Sequence, residues 1–408
     1  MATPPLLRFA TAGSAGDGRS ALVGRLLHDS GAVPEARSAA AERVPAARER
    51  GGTADVAYRH FATARRRFVL ADAPGPAQYT RTVVTGASTA DLVLVLADAR
   101  DGVVEQTRRH AAVAALLRVP HVVLAVDKMD LVGHRESVFA RTARRFTYYA
   151  GELGVSGITA IPVSVLAGDN VVEPSAVMDW YGGPTVLEHL ETVSVDFGPD
   201  RAEARFPVQY VLRPRTAGRS GHRGCAGRIT AGTFRVGDPV LVLPSGRETV
   251  IAGIDLLGRP VEAAWSPQSV TLRLADDLDV SRGDLIAPVA HPPAVTRDVV
   301  ATVCHLADRP LSTGQQVLLR HTARTVGGVV ASIPSTLALD DLARRPAPAR
   351  LVAGDIGRVH IRTAEPLALD DYADSRSTGS FLLVDRTDGT VLSAGMAGEP
   401  FTDHAWTS

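Results

Sequence analysis

The chain changes rhythm once, and that change limits its possible folds more than any single residue does. Up to about residue 195, short apolar runs alternate with longer amphipathic stretches. "LLRFATAG", "RRFVLADAPG", "DLVLVLADAR", "HVVLAVDKMD" and "ITAIPVS" are apolar enough to be strands buried on both faces. Between them lie helical segments such as "QTRRHAAVAALLRV", with apolar residues at Ala112, Leu116 and Val119. Strands alternating with helices imply right-handed crossovers and a mainly parallel sheet covered on both sides. From about residue 203 the runs become shorter and richer in β-formers, and Gly, Asp and Pro turns split them at intervals of roughly ten residues, as in barrels or sandwiches. "FPVQYVLR" and "GCAGRITAGTFRVGDPVLVLPSG" set this rhythm, and "RDVVATVCHLADRP" and "QQVLLRHTARTVGGVVASI" repeat it from about residue 297. The Pro-rich step "APVAHPPAVTRD" divides the two β-rich segments. The expected domains are 1–198, 199–294 and 295–408.

Composition adds exclusions. Acidic and basic residues balance at 44 each, so net charge provides no footprint for nucleic acid or an anionic membrane. No apolar run reaches the roughly 18 residues of a spanning helix, and "MATPPLLRFATAG" lacks the form of a signal peptide. A cytoplasmic protein with no membrane partner is expected. Cys225 and Cys304 stand far apart without metal-ligand spacing, which argues against a disulfide framework or a zinc site. Lys128 is the only lysine among the 44 basic residues, against a background of arginine.

Four short motifs carry chemistry. Gly13 to Ser20, "GSAGDGRS", follows the first strand and opens a helix, so its amides and the helix N-terminus would face an anion. The phosphate-loop pattern G-x-x-x-x-G-K-[ST] is met at Gly13, Gly18 and Ser20 but has Arg19 in place of lysine; Asp17 lies inside the loop. In a working loop Ser20 ligates Mg²⁺ and residue 19 reaches the β- and γ-phosphates. "DAPG", Asp72 to Gly75, ends another strand, where such an Asp serves the Mg²⁺ shell and the Gly amide meets the γ-phosphate. "DKMD", Asp127 to Asp130, places Asp130 to accept from the N1 and N2 donors of guanine, with the Lys128 stem along the purine face. Ser164, in "PVSVLAGDN", lies just beyond a further strand, where backbone amides would meet the guanine carbonyl. Each motif alone is common in ligand-free turns. Their order is not, because steps of 59, 55 and 37 residues from Gly13 to Asp72, Asp127 and Ser164 put each at the carboxyl end of a strand, where open α/β sheets bind ligands. Elsewhere, "ARRRF" at 64–68 is expected to be a solvated hairpin turn. "RSGHRGCAG" at 219–227 is either a partner-facing segment or a barrel loop.

Over essentially its whole length the chain resembles the large, GTPase-type subunit of heterodimeric ATP sulfurylase, a relative of translational elongation factors. The resemblance is carried by "GDGRSALVGRLLHDS", "ADAPGPAQYTRTVVTGASTADLVLVLADARDGVVEQTRRH", "DKMDLV", "MDWYGGPTVLEHLE" and "SRGDLI". It implies an α/β P-loop G domain followed by two β-barrels, with GTP and Mg²⁺ as cofactors and Thr53 completing the metal set of Ser20 and Asp72. It also implies a smaller adenylyltransferase subunit as partner, which makes adenosine 5′-phosphosulfate and pyrophosphate from ATP and sulfate while GTP hydrolysis drives the step. A fused adenylylsulfate kinase is not expected.

The departures from that family fall on residues that handle GTP. Arg19 replaces the loop lysine, Asp127 the asparagine of N-K-x-D, and Pro76 the histidine after D-x-P-G; the region between Ser30 and Thr53 is shortened. Arg19 brings a planar fork into a nest shaped for a point charge. Ionised Asp127 accepts only, so it neither donates to guanine N7 nor braces the loop as an amide does. Pro76 has no titratable group and no N–H with which to position water. The expected protein is a regulatory subunit of sulfate adenylyltransferase with weakened GTP binding and hydrolysis. The alternatives are a pseudo-GTPase scaffold of the same lineage or a translational GTPase on RNA, the last opposed by the balanced charge and the family-specific segments. No residue is assigned a catalytic role.

Overall fold

The computed structural model describes residues 5–14, 16–31, 57–72, 84–195, 203–212, 224–346 and 349–399. It divides into two compact units: one runs to Val195 and takes in Ala338–Ala343, and the other holds Asp196–Leu337 and Arg344–Pro400.

The first unit is built on a six-stranded sheet of β1 (Leu6–Ala12), β2 (Ala57–Ala62), β3 (Arg67–Asp72), β4 (Leu92–Asp98), β5 (His121–Asp127) and β6 (Ile158–Pro162). Its spatial order is β2-β3-β1-β4-β5-β6. All neighbours pair in parallel except β2, which lies antiparallel on β3. β4 is buried at all seven positions, which is why it reads as an unbroken apolar run. The helices are α1 (Arg19–Asp29), α2 (Glu105–Leu116), α3 (Glu136–Glu152) and α4 (Val186–Thr192). Leu22 and Leu26 of α1 and Leu187 and Leu190 of α4 join Leu7, Phe9, Leu94 and Leu96 in one core. Phe9 meets the stacked pair Phe61 and Phe68 edge-on. Because β1 is flanked by β3 and β4, the loop after it opens at the point where the strand order reverses, beside the ends of β4 and β5.

One local expectation changes. Residues 64–68 do turn a hairpin from β2 to β3, closed by Thr63 N–H donating to the Arg66 carbonyl, but Arg66 is not solvated. It is 7% exposed, and its Nη1 donates to the carbonyls of Leu190 and Val193 at 2.9 and 2.7 Å, pinning the end of α4. Satisfying backbone acceptors is what makes that buried guanidinium tolerable.

The second unit contains two closed six-stranded barrels. The first ring runs Pro239–Leu243, Leu285–Pro288, Phe206–Leu212, Gly224–Arg228, Ser269–Leu274 and Arg247–Leu256, and closes by pairing the last with the first. The second runs Gln316–His321, Ser380–Asp385, Val391–Ala397, Ala294–His305, Ile356–Leu369 and Arg324–Leu337, and closes in the same way. Gly224–Gly227 of the segment read as partner-facing or loop is a strand of the first ring, with Cys225 buried; residues 219–223 lie outside the described residues. Arg205, just before the first ring, pairs bidentately with Asp370, just after a strand of the second, at 2.8 Å through both Nε and Nη2; both side chains are buried. Cys225 and Cys304 are free thiols. Among the described residues, no helix is long and apolar enough to cross a membrane.

Candidate functional site

The loop after β1 has the backbone of a phosphate cradle. Gly16 and Gly18 both adopt left-handed conformations, φ +88° and +86°, which side-chain-bearing residues avoid. Gly18 is the N-cap of α1, and its carbonyl accepts from Leu22 N–H at 2.9 Å. A Cβ on Gly18 would stand 2.4 Å from Asp127 Oδ2, so space as well as conformation demands glycine. Inside the loop, Asp17 folds back and its Oδ2 accepts from Ser14 N–H at 2.5 Å. The stem of Arg19 runs over Gly13, where a Cβ would meet Arg19 Cγ at 3.3 Å and Leu96 Cβ at 3.2 Å. Ser20, on the first turn of α1, is exposed.

The base side is assembled from the ends of β5 and β6. Asp127 closes β5 almost wholly buried, and its Oδ1 accepts from Lys128 N–H at 2.6 Å and Val165 N–H at 2.9 Å. The bracing expected to vanish with the amide is therefore kept in its accepting half, and the turn after β6 is tied to β5 through this one oxygen. Lys128 takes the left-handed conformation, φ +63°, and its Nζ donates to the Gly16 carbonyl at 2.8 Å and to Asp98 Oδ2 at 2.7 Å. Asp130 is exposed and is steadied by Ser164, whose hydroxyl donates to Asp130 Oδ1 at 2.7 Å. Ser164 is buried, and its carbonyl accepts from Gly168 N–H.

Two groups at this site carry no sequence motif. Asp98, at the end of β4, accepts from Arg100 through its backbone N–H, Nε and Nη2 at 2.9, 3.0 and 2.7 Å, besides Lys128. Burial alone would push its carboxyl up, but these cationic donors outweigh it and hold the group well below the usual carboxylate range. His110 of α2 is 1% exposed and hydrogen-bonds the Gly13 backbone; burial, aided by the Arg19 charge, pushes its pKa down to about 4. Burial pushes Asp17 and Asp127 the other way, above the ordinary carboxylate value, against the hydrogen bonds they accept. The local sign of Asp98 is an acid ending an otherwise apolar strand. For His110 the signal is weaker, a histidine at the head of an alanine-rich buried stretch.

The structure thus brings Gly13, Asp17, Gly18, Arg19, Asp127, Lys128, Asp130 and Ser164 to one end of one sheet. Asp72, the last residue of β3, has Arg59 of β2 within 3.5 Å of its carboxylate. Thr53, Gly75 and Pro76 lie outside the described residues. No group of three metal-ligating side chains occurs among the described residues.

The architecture is that of a G domain with two barrels, the elongation-factor type of GTPase. Residues 4–195 match the family described as elongation factor Tu GTP binding domain, and residues 298–397 match the GTP-eEF1A C-terminal domain-like family. A bifunctional enzyme CysN/CysC of Mycobacterium tuberculosis is 47% identical over 96% of this chain and 67% of its own length. Sulfate adenylyltransferase subunit 1 of Aeromonas salmonicida is 41% identical over 97% of this chain and 87% of its own. A bifunctional enzyme NodQ of Rhizobium tropici is 42% identical over 97% of this chain and 65% of its own. The chain belongs to the family of GTPase-type subunits of sulfate adenylyltransferase.

Proposed function

We propose that this chain is the guanine-nucleotide-binding subunit of a sulfate adenylyltransferase, with GTP binding weakened and hydrolysis slow or lost. Its smaller partner subunit forms adenosine 5′-phosphosulfate from ATP and sulfate. The observation that carries the nucleotide reading is the base-side cradle: Asp130 steadied by Ser164, and Lys128 fixed against the loop. Those groups fit a guanine. The exposed carboxylate of Asp130 accepts from its N1 and N2 donors, and the Lys128 stem offers an apolar face to the ring. Gly18 leaves room for the Asp127 carboxylate at a point where any side chain would collide with it.

At the phosphate end the fit is poorer. Ser20, Asp72 and Thr53 are the residues that would hold Mg²⁺, which when bound draws charge from the β- and γ-phosphate oxygens. Arg59 already faces the Asp72 carboxylate. Arg19 keeps a positive charge near the phosphates but spreads it over a planar group. Pro76 has no N–H or titratable group to orient an attacking water, and positioning supplies much of the catalysis in phosphoryl transfer. The Arg59–Asp72 pairing favours a second reading, a pseudo-GTPase scaffold that activates the partner without turning over GTP.

Co-expression with a small adenylyltransferase subunit, size-exclusion chromatography without added nucleotide, and phosphosulfate assays with and without GTP test both readings. A stable complex whose phosphosulfate formation does not depend on GTP is expected. Two separate peaks at micromolar concentration would count against a subunit role. Stoichiometric GTP hydrolysis abolished by Asp72→Ala would restore a full GTPase.

A further inference from the structure

Parallel pairing of β4 with β5 sets Asp98 level with Asp127, so two acids, both almost wholly buried, stand side by side where the sheet meets the phosphate loop. Adjacent carboxylates in a setting of low polarity repel one another and need a cation to offset them. Lys128 supplies it. One ammonium reaches Asp98 Oδ2 at 2.7 Å and the Gly16 carbonyl at 2.8 Å, joining the end of β4 to the loop after β1.

We propose that Asp98 is a positioning residue of the nucleotide site: it holds the Lys128 ammonium against the Gly16 carbonyl and so locks the base-side turn to the phosphate loop before nucleotide arrives. This rests on the guanine-nucleotide reading above. Asp98 has little freedom to do otherwise, since Arg100 grips it through three nitrogens and its Oδ2 accepts from Arg100 Nη2 and Lys128 Nζ together, both at 2.7 Å. Lys128 is equally constrained. Its left-handed backbone fixes where the side chain starts, and the two acceptors fix where it ends. The arrangement also accounts for the exception in composition. A compact ammonium with three donors places a single nitrogen on both acceptors, whereas a guanidinium divides its donors over a rigid plane. In a chain that uses arginine at every other basic position, this is the place where the substitution would break a contact.

The test is a titration of the full chain with a fluorescent N-methylanthraniloyl GDP, comparing Asp98→Asn, Asp98→Glu, Lys128→Met and the double variant Asp98→Asn with Lys128→Met. Asp98→Asn, which keeps the shape and removes the charge, should weaken binding roughly tenfold, the scale of one lost charge-assisted hydrogen bond. Asp98→Glu, which keeps the charge, should recover part of that loss. The double variant should bind no worse than Lys128→Met alone, because Asp98 acts through Lys128. Binding by Asp98→Asn equal to that of the unsubstituted chain would overturn the proposal, as would a full further tenfold loss in the double variant. Should Asp98→Asn fail to fold in a melting experiment, Asp98→Ser, which also removes the charge, stands in for it alone and in a second double variant with Lys128→Met, and the same two outcomes decide. An unsubstituted chain that does not bind the probe would instead remove the nucleotide reading itself, and this proposal with it.

Discussion

The two ends of the nucleotide site have been treated differently. At the base end the polar groups are held in several ways: Ser164 holds Asp130, Asp127 holds two backbone amides, and Lys128 bridges Asp98 and Gly16. At the phosphate end a single carboxylate faces an arginine, the loop lysine has become Arg19, and Pro76 stands where a water-positioning group is expected. On the function proposed above, recognition would rest on the ends of β5 and β6 and turnover on the loop after β1 and the end of β3, so one could persist while the other decays. The base-end contacts also brace loops against the sheet, and that structural duty continues whether or not GTP is ever split.

The comparison breaks most completely at Gly18, where the two ends touch. Gly18→Ala puts a side chain into left-handed backbone, at a cost of about 1–2 kcal/mol, and drives it into Asp127. Guanine nucleotide binding should be lost and the melting midpoint lowered, as calorimetry and circular dichroism would register. Binding preserved in this variant would mean that the two ends are not coupled. Arg19→Lys combined with Asp127→Asn should work in the opposite sense and tighten GTP binding by a few kcal/mol, each recovered contact being worth about 1.5–3. Sub-micromolar GTP affinity in the unsubstituted chain would show that there was nothing to recover.

Protons distinguish the ends more finely. His110 stays neutral in the folded protein down to a pKa of about 4, whereas the unfolded chain takes up that proton near its ordinary value of 6.5. Stability is therefore lost as pH falls from 6.5 toward 4, by on the order of 3 kcal/mol, and the loss is complete below that window. His110→Phe should flatten the fall in melting midpoint between pH 7 and pH 5. The smallest effect concerns Asp127, whose carboxyl is pushed up by burial. Its neutral form, favoured on acidification, regains a donor, so GTP affinity should rise modestly as pH falls toward the carboxylate range. Asp127→Asn should remove that dependence, which titrations at several pH values would detect.

What could be read before the structure follows from where the information lies. β4 and β5 are legible because burial on both faces writes a strand as a continuous apolar run, and β1, β3 and β6, less completely buried, still carry short apolar runs. β2 is not legible, because "AYRHFA" is an edge strand of mixed polarity whose pairing with β3 is decided by Phe61 stacking on Phe68. The four motifs were legible as linear patterns. Asp98 is legible only as an acid closing an apolar strand; its role arises from cross-strand register with Asp127, which no local window contains. Arg66 escapes a local reading for a related reason: a run of arginines has the pattern of a solvated turn, and only the tertiary fold lays carbonyls at the end of α4 over one of them. The barrel rhythm announces short strands, but each ring also needs pairings between strands far apart in sequence, such as Leu285 opposite Pro207, which no local window contains.

The Arg205–Asp370 pair ties one barrel to the other at a point where both charges are out of water. Removing either partner would strand the other, at a cost of about 3–5 kcal/mol, so neither barrel melts without exposing the other to that penalty. Scanning calorimetry of the whole chain should accordingly resolve two cooperative transitions, matching the two compact units, with the barrels sharing one of them.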